Sequence, residues 1–365
     1  MTRQQMTDGR ELDAMYMHRC ISLAQRGRQH AAPNPMVGAV IVCDGRIIGE
    51  GWHRRCGEGH AEVNAVASVR DRSMLSRATI YVTLEPCSHY GKTPPCAEML
   101  IRHGLRRVVV GCIDPSAKVH GRGIAMLREA GITVDVGVCE DECKALIIPF
   151  ATAQTGRPYV TLKWAQSADG LIDSRRYPDT AGRAAAISGQ MTQMLVHKLR
   201  SECSAVMVGT HTALMDDPSL TVRHWTGDNP VRVVIDRHGT LPRGLHLFDG
   251  TARTIVYTTD ATAAYPGDTE VVALPLPDDG SPAPILADLA SRQIQKLLVE
   301  GGAATLRSFI DNGLWDEARV ETNLGLRLGQ GTPAPVLPAG CATLTGHIDI
   351  CEATITTYAN THHDH

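Results

Sequence analysis

A short pattern of metal-binding residue types constrains this sequence more than any other feature. His60-Ala61-Glu62 is followed along the chain by Pro86-Cys87 and by Cys96. One histidine and two cysteines are ligands that Zn²⁺ prefers, and three protein ligands leave a fourth position open, as in catalytic zinc sites. A zinc ion in such a site lowers the pKa of its bound water and so supplies a nucleophile. Glu62 is not needed as a ligand, so its carboxylate is available to carry protons.

A His-x-Glu motif followed by Pro-Cys is typical of zinc-dependent nucleobase deaminases. We therefore predict hydrolytic deamination, with Glu62 as the catalytic residue and His60, Cys87 and Cys96 as metal ligands. A structural zinc site would usually need a fourth protein ligand. His89 is better interpreted as a loop residue, and nothing in the spacing favours Cys56.

Length and charge limit the class of protein. A chain of 365 residues is long for one core and predicts two domains. The chain has 36 Lys and Arg residues and 39 Asp and Glu residues, so its net charge is −3. It therefore lacks the basic excess that is typical of nucleic-acid-binding proteins. We therefore expect a small-molecule substrate and no nucleic-acid partner. The sequence shows neither a signal segment nor a long apolar run, so we expect no membrane partner and a cytoplasmic location.

The first part of the chain alternates between helix and strand patterns. Apolar runs over 37–43, 79–84 and 107–112 predict buried strands, and helical periodicity is found over 8–28, 61–70 and 95–103. This alternation predicts a sheet sandwiched between helices. His60 would lie at the start of a helix and both cysteines after a strand end, so the metal pattern and the coarse fold agree.

The pattern breaks near 147–157, at Pro149, Gly156 and Pro158, and a second unit follows. We predict a zinc deaminase domain over 1–148, a linker over 149–158 and a second domain over 159–365. In the second domain, Glu300-Gly301-Gly302 stands between a predicted strand and a predicted helix, where backbone N–H groups can hold a phosphate. A tight corner explains the two glycines equally well. The chain has no G-x-G-x-x-G fingerprint, so a Rossmann nucleotide site is not supported.

Several polar residues near the zinc motif are candidate substrate contacts. Asn34 stands between two prolines, where it serves either as a turn residue or as an amide that binds a substrate's polar edge. His53 is either a histidine at the edge of the core or a substrate contact. The segment between the two cysteines carries Lys92 and Thr93, and a loop of this length suits an anionic group on a small substrate. A solvated lysine is the alternative there.

Taken together, these motifs closely resemble the bifunctional riboflavin-biosynthesis deaminase/reductase family. The resemblance covers roughly Asp13 to Gly329, and the ten-residue segment from Cys87 to Cys96 is its most specific part. The matching motifs are Asn34-Pro35-Met36-Val37-Gly38, His60-Ala61-Glu62, 86–96, 162–170, 208–223 and 299–302.

The resemblance implies a cytidine-deaminase-like α-β-α sandwich followed by a dihydrofolate-reductase-like α/β domain. It implies zinc-dependent deamination of 2,5-diamino-6-(5-phosphoribosylamino)pyrimidin-4-one, and then reduction of the product's ribosyl group to ribityl. The implied cofactors are Zn²⁺ and NADPH, and the implied partners are small phosphorylated pyrimidines. We also expect a homo-oligomer, because linked domains of this size often self-associate. The alternative is a single-activity zinc deaminase with a degenerate, non-catalytic C-terminal module.

By motif position, the resemblance also implies roles for individual residues. The pyrimidine substrate would contact Asn34, Lys92 and Thr93, together with His53, and the backbone N–H of Ala61 would bind the ring's polar edge. The reductase substrate would be held by Lys163, Arg200, Leu220, Arg223 and Glu300. The cofactor would be bordered by Gln166, Thr212, Asp216, Gly301, Gly302, Ala303, Ala304 and Thr305.

One segment departs from the family's pattern. Many members have S-x-W-I-[ST] at the reductase cleft, where this chain has Ala184-Ala185-Ala186-Ile187-Ser188. Two side chains that would touch substrate and nicotinamide are thereby reduced to methyl groups, and Arg183 is expected to take over part of their role. This segment is the main support for the single-activity alternative. A nucleic-acid base deaminase and a non-enzymatic zinc-binding protein are further alternatives, and the acidic charge balance and the long segment between the cysteines argue against the first.

Overall fold

The computed structural model describes residues 3–91, 94–116, 119–174 and 185–361. The chain divides into two compact units, Met1–Gln154 and Thr155–His365. Within the described ranges, every helix is too short or too polar to cross a lipid bilayer.

The first unit contains a five-stranded sheet in the order β2-β1-β3-β4-β5. Strand β1 pairs antiparallel with β2 and β3, whereas β3, β4 and β5 are parallel. The strands are β1 Gly38–Cys43, β2 Arg46–Trp52, β3 Thr79–Leu84, β4 Arg107–Cys112 and β5 Thr133–Val136. The helices are α1 Arg3–Ala24, α2 Ala61–Ser68, α3 Cys96–Arg102, α4 Arg122–Glu129 and α5 Glu140–Gln154.

Alternating side chains along these strands fill two apolar layers, one on each face of the sheet. On one face, Ile41 and Val82 pack with residues of α2, α3 and α4. On the other, Val40 and Val109 pack with residues of α1 and α5. The first unit is therefore an α-β-α sandwich, and that part of the fold prediction is confirmed.

Helix α2 lies directly on the backbone of β2. The contact requires Gly51, because a Cβ at this position would overlap the backbone of Ala61 and Ala65. Since α2 begins at Ala61, the glycine fixes where the His60-Ala61-Glu62 motif stands relative to the sheet.

Helix α5 differs from what the sequence pattern indicates. It continues through Pro149 to Gln154, so the first six residues of the predicted linker are helical. Proline removes one helical hydrogen bond and usually breaks a helix. Here Leu146, Ile147 and Thr152, on both sides of the proline, are buried, and this packing keeps the helix continuous.

The second unit contains a nine-stranded sheet in the order β11-β10-β9-β8-β12-β6-β13-β16-β15. The strands from β11 to β13 run parallel, and β16 and β15 are added antiparallel at one edge. The sheet consists of β6 Tyr159–Ser167, β8 Ala205–Gly209, β9 Val231–Ile235, β10 Thr254–Thr258, β11 Glu270–Ala273, β12 Lys296–Gly301, β13 Glu317–Asn323, β15 Ala342–Ile350 and β16 Ala353–Asn360. A separate pair is formed by β7 Leu171–Ser174 and β14 Gly331–Pro333.

Helices cover both faces of this larger sheet. They are α6 Gln190–Ser201, α7 Thr210–Asp216, α8 Ala283–Ser291 and α9 Ala303–Asp311. Residues of α8 and α9 share one apolar cluster with the strands, and residues of α6 and α7 share another. Short 3-10 helices span Gln25–Gly27, Arg72–Arg77 and His246–Phe248. The second unit is thus an α/β domain with a mostly parallel sheet. Ligands of such sheets bind at the carboxyl ends of the strands, which here lead into α7 and α9.

Arg232 on β9 is a fully buried arginine that anchors the connection between β9 and β10. Its side chain is 0% exposed. The guanidinium donates hydrogen bonds to Asp249 Oδ1 (2.9 Å), to Thr254 Oγ1 (2.9 Å) and to the carbonyl oxygens of His246 (2.9 Å) and Ala252 (2.7 Å). The connection from β9 to β10 is therefore anchored to the inside of the sheet by one cation.

We predict that Arg232→Met lowers the free energy of unfolding by about 3–5 kcal/mol, because it leaves a carboxylate and several carbonyl groups without their donor. Urea denaturation of the full chain measures the change. Arg253→Met is the matched control, because Arg253 forms an exposed ion pair with Glu270, and such pairs contribute at most about 1 kcal/mol. Equal losses in the two variants would contradict the prediction.

Candidate active sites

The three predicted metal ligands meet at one point of the first unit. His60 immediately precedes α2, Cys87 follows the end of β3, and Cys96 is the first residue of α3. His60 Nδ1 lies 3.6 Å from Cys87 Sγ and 3.4 Å from Cys96 Sγ. The backbone N–H of Cys96 donates a hydrogen bond to Cys87 Sγ (3.2 Å), which fixes the position of that sulfur.

This geometry fits a zinc ion. Zinc binds sulfur at about 2.3 Å and imidazole nitrogen at about 2.0–2.1 Å with tetrahedral angles, which places nitrogen and sulfur about 3.5 Å apart. Hydrogen bonds with Cys96 and with the His60 ring lower the pKa of the Cys87 thiol, and the thiolate is the form that binds metals. Among the residues that the structure describes, no fourth His, Cys, Asp or Glu joins this group, so three side chains are available as ligands here.

A second group of possible ligands lies on the surface of the same unit. It consists of His18, Cys139 and Glu142. His18 Nε2 and Glu142 Oε2 are 2.9 Å apart, and more than half of each side chain is exposed. An ordinary surface ion pair accounts for this arrangement without a metal.

Glu62 faces the zinc ligands from the first turn of α2. It is 3% exposed, and burial raises the pKa of its carboxyl to about 7. A carboxyl group in this range can both accept and return a proton near neutral pH. Together with His60 and Cys87, Glu62 lines a cavity of about 210 Å³.

Asn34 and His53 line the same cavity. The His53 Nδ1 atom lies 3.2 Å from the carbonyl oxygen of Gly59, and its Nε2 lies 3.1 Å from Asn34 Nδ2. A carbonyl oxygen only accepts, so Nδ1 donates to Gly59 and Nε2 accepts from Asn34. Burial lowers the pKa of His53, which favours this neutral form. The carboxamide oxygen of Asn34 is thereby left for a ligand.

Ala61 also lines this cavity, beside Glu62. Lys92 and Thr93 lie outside the described residues, so their predicted contacts with substrate stay predictions.

Glu85 organises the site, although the sequence reasoning did not single it out. It is 3% exposed. Its carboxylate accepts hydrogen bonds from the backbone N–H groups of Asp114 (3.3 Å), Gly121 (2.8 Å), Gly123 (2.9 Å) and Ile124 (3.3 Å). These donors fix the connection from β4 to α4 and the first turn of α4 against the residue that precedes Pro86-Cys87. The only signal in the sequence was an acidic residue directly before the Pro-Cys motif.

A second cavity, of about 290 Å³, lies in the second unit. Some of the predicted reductase residues line it, namely Lys163, Thr212, Asp216, Glu300, Gly301, Gly302 and Ala303. Lys163 is on β6, Glu300 is on β12, and Thr212 is on α7. The cavity therefore lies at the carboxyl edge of the parallel strands, as expected for an α/β sheet.

Other predicted residues support this cavity or lie beside it. Arg200 donates to both carboxylate oxygens of Glu300, at 2.7 and 2.6 Å. Leu220 is 1% exposed and belongs to an apolar cluster. The backbone N–H of Arg223 donates to His197 Nδ1 (3.0 Å).

Gln166 lines a separate hollow with Tyr358, and its Oε1 accepts a hydrogen bond from Trp164 Nε1 (2.9 Å). Ala304 is exposed on the first turn of α9. A Cβ at Gly209 would overlap the hydroxyl of Thr305, so Thr305 packs against the end of β8.

The start of α9 fits a phosphate-bearing cofactor such as NADPH. Gly301 has φ +152°, which only glycine adopts readily, and Gly302 precedes the helix. A Cβ at Gly302 would lie 2.9 Å from Thr212 Oγ1, so a larger residue would close this corner. The free N–H groups at the start of α9 are suited to an anion.

The segment that departs from the family pattern forms one wall of this cavity. Ala185, Ala186, Ile187 and Ser188 line it. Arg183 and Ala184 lie outside the described residues.

The fold and the two cavities define a zinc-type deaminase unit followed by a reductase-type unit. A family described as the cytidine and deoxycytidylate deaminase zinc-binding region matches residues 10–112. The RibD C-terminal domain family matches residues 158–336. The chain belongs to the RibD family of bifunctional riboflavin-biosynthesis proteins.

Curated relatives extend over most of this chain. The riboflavin biosynthesis protein RibD of Aquifex aeolicus is 41% identical over 311 residues, which cover 84% of this chain and 85% of that protein. The RibD protein of Bacillus amyloliquefaciens is 38% identical over 337 residues, covering 90% and 88%.

Solved structures show the same fold. One is the diaminohydroxyphosphoribosylaminopyrimidine deaminase/5-amino-6-(5-phosphoribosylamino)uracil reductase of Thermotoga maritima. It has a TM-score of 0.87 and 36% identity, covering 96% of this chain and 99% of that one. Acinetobacter baumannii RibD has a TM-score of 0.84 and 32% identity, with coverage of 96% and 99%. The two-part fold prediction is confirmed.

We predict that the purified protein carries zinc at this centre and that Cys96→Ser loses it, because a hydroxyl group is a poor replacement for a thiolate ligand. Elemental analysis of the dialysed protein measures the metal content. Cys56→Ser is the control, because Cys56 is exposed and lies only four residues before His60. Zinc content equal to wild type in Cys96→Ser would rule out this ligand set.

Proposed function

We propose that the chain catalyses two consecutive steps of riboflavin synthesis, one in each unit. The first is hydrolytic deamination of 2,5-diamino-6-(5-phosphoribosylamino)pyrimidin-4-one. The second is NADPH-dependent reduction of the product's ribosyl group to ribityl. The observation that carries the proposal is the presence in one chain of a three-ligand metal centre beside buried Glu62 and a cavity at the start of α9.

In the first unit, bound zinc would supply an activated water. Glu62 would take a proton from that water and deliver it to the ring nitrogen next to the reacting carbon, while the hydroxide oxygen forms a bond to that carbon. Glu62 would then transfer the proton of the new hydroxyl group to the amino group, so that the C–N bond breaks, ammonia leaves and the carbon becomes a carbonyl. The raised pKa of Glu62, about 7, suits it for both transfers.

Two further groups in this cavity would orient the pyrimidine. One N–H of the Asn34 carboxamide donates to His53, and the carboxamide oxygen is suited to accept a hydrogen bond from the substrate's amino or ring N–H group. The backbone N–H of Ala61, at the start of α2, is suited to donate to a polar atom of the ring. Lys92 and Thr93 remain proposed substrate contacts on the strength of the motif alone.

In the second unit, NADPH would supply a hydride to C1 of the ribosyl group. Gly301, Gly302 and the start of α9 would hold its phosphates, with Thr212 and Asp216 alongside. Lys163 lines the same cavity, and we propose that its ammonium group donates a proton to the ring oxygen as the sugar opens. Burial lowers the pKa of Lys163, which makes it a better proton donor than an exposed lysine.

Three further predicted residues, Arg200, Glu300 and Arg223, would form the part of the site that contacts the substrate's sugar and phosphate. Because Arg200 occupies both oxygens of Glu300, this pair presents a fixed, electrically balanced wall to the substrate's hydroxyl groups. Arg223, whose backbone is held by His197, is proposed to approach the substrate's phosphate.

Both halves of the chain match their families, which supports the two-step function over a deaminase with a degenerate module. We also propose that the protein acts in the cytoplasm as a homo-oligomer, without nucleic-acid or membrane partners. A coupled assay tests the main proposal by following ammonia release from the pyrimidine substrate and then NADPH consumption. Ammonia release without NADPH oxidation would leave only the single-activity alternative.

We predict that Glu62→Gln slows ammonia release by about 10²–10⁴-fold, because an amide cannot carry the protons. Zinc content and NADPH oxidation with the deaminated substrate should stay at wild-type levels, since Glu62 is not a zinc ligand and belongs to the first unit. Glu58→Gln, in the exposed stretch before His60, is the control and should retain both activities. Undiminished deamination by Glu62→Gln would refute the proposed mechanism.

A further inference from the structure

Glu321 is a buried acidic residue of the second unit that the steps above do not use. It lies on β13, between β6 and β16, and is 2% exposed. Its Oε2 accepts a hydrogen bond from the Ser188 hydroxyl (2.8 Å) and lies 3.9 Å from Lys163 Nζ. Its Oε1 is buried and has no hydrogen-bond partner among the described residues. A buried carboxylate with so few donors is costly, so its position calls for a functional reason.

The charges around Lys163 single out Glu321 as its counter-ion. Glu300 attracts the lysine more strongly than Glu321 does, but both oxygens of Glu300 are bonded to Arg200, whose positive charge opposes that attraction. The charged groups that act on the ammonium come from three elements, and they are Glu300 on β12, Glu321 and Arg319 on β13, and Arg200 on α6. His211, Asp173 and Asp216 line the same cavity. Because Arg200 is bonded to Glu300, we take Glu321, 3.9 Å from the ammonium, as the counter-ion of Lys163, with Arg319 opposing it from the same strand.

Glu321 also connects the lysine to the cavity wall. Ser188 lines the cavity beside Ile187, and the carbonyl oxygen of Ile187 accepts a hydrogen bond from Asn323 Nδ2 (2.8 Å). Two side chains of β13, Glu321 and Asn323, therefore hold this wall segment. This is the segment in which alanines stand where many family members have larger side chains, and these two bonds help to fix its position.

We propose that Glu321 is a positioning residue of the reductase, which keeps the Lys163 ammonium charged at the cavity and, through Ser188, holds the wall segment against it. The proposal rests on the proposed reduction and on the role of Lys163 as its proton donor. Burial lowers the pKa of Lys163, and the nearby carboxylates oppose that effect. Removal of the negative charge of Glu321 lowers the lysine's pKa further, so the protonated, active form disappears at a lower pH.

The test compares Glu321→Gln with wild type in the complete protein. The substitution keeps the side chain's size and removes its charge. When kcat for NADPH oxidation is plotted against pH, its decrease at alkaline pH (the alkaline limb) should occur at a pH about one unit or more lower in Glu321→Gln than in wild type. The reason is that the substitution removes a close, buried counter-charge of Lys163. Glu317→Gln is the matched control, because Glu317 is on the same strand and face but pairs in register with Thr161, whereas Glu321 pairs with Ala165, and Glu317 is not among the charged groups that act on Lys163. Its alkaline limb should stay in place.

A second measurement needs neither substrate nor turnover. The chain has six lysines, so the resonances of isotope-labelled lysine side chains can be assigned by single substitutions and titrated by NMR in the cofactor-free protein. The Lys163 resonance should titrate at lower pH in Glu321→Gln than in wild type and at an unchanged pH in Glu317→Gln. Glu321→Asp keeps the charge at a greater distance and should give an intermediate value.

The outcomes separate this inference from the proposed function. A shifted Lys163 titration together with a shifted kcat limb supports both. If the wild-type protein does not oxidise NADPH, the reductase proposal fails, and the titration still decides whether Glu321 sets the charge of Lys163. An unchanged Lys163 titration in Glu321→Gln overturns the inference. If Glu321→Gln does not fold, an unchanged titration in Glu321→Asp overturns it in the same way.

Discussion

A carboxylate buried at the edge of a sheet must find its hydrogen-bond donors inside the protein. In the first unit, four backbone N–H groups meet the carboxylate of Glu85 and so fix the residue before the Pro-Cys motif. In the second, one guanidinium meets both oxygens of Glu300 and fixes the wall of the cavity. Each site therefore contains a buried carboxylate whose hydrogen bonds are satisfied and which exchanges no proton in the proposed steps. These hydrogen bonds position the chain around the site.

The clustering of the three predicted zinc ligands was predictable because its signal is local. The ligand types, and the strand and helix ends that carry His60, Cys87 and Cys96, can be predicted from short stretches of sequence, and the structure brings the three residues together. Glu85 escaped prediction since its donors lie 29 to 39 residues further along the chain. Helix α5 passes through Pro149 for a similar reason, because burial by distant strands overrides a local breaker.

Prediction was weaker in the second unit. Motif order placed Lys163 and Glu300 at one cavity, but sequence alone could not distinguish residues that line it from residues behind it, such as Arg200 and Leu220. Strands β13 to β16 were not predicted either. Polar and charged residues interrupt the apolar pattern of β13 and β15. Strand β13 joins the sheet through β6, β16 through β13, and β15 through β16, whereas β14 pairs with β7. Glu321 lies on the unpredicted strand β13, so its contact with Lys163 could not be seen without the fold.

The metal centre depends on Gly51, a residue that is not one of its predicted ligands. Helix α2 rests on the bare backbone of β2 at this residue, whereas Cys87 and Cys96 are carried by other elements. A single methyl group at position 51 would lift the first turn of α2 and move His60 and Glu62 together, away from two sulfur atoms that stay where they are. Inherited variation at this glycine would thus show itself first as a loss of metal affinity in a protein that is still folded, at a residue that touches neither metal nor substrate.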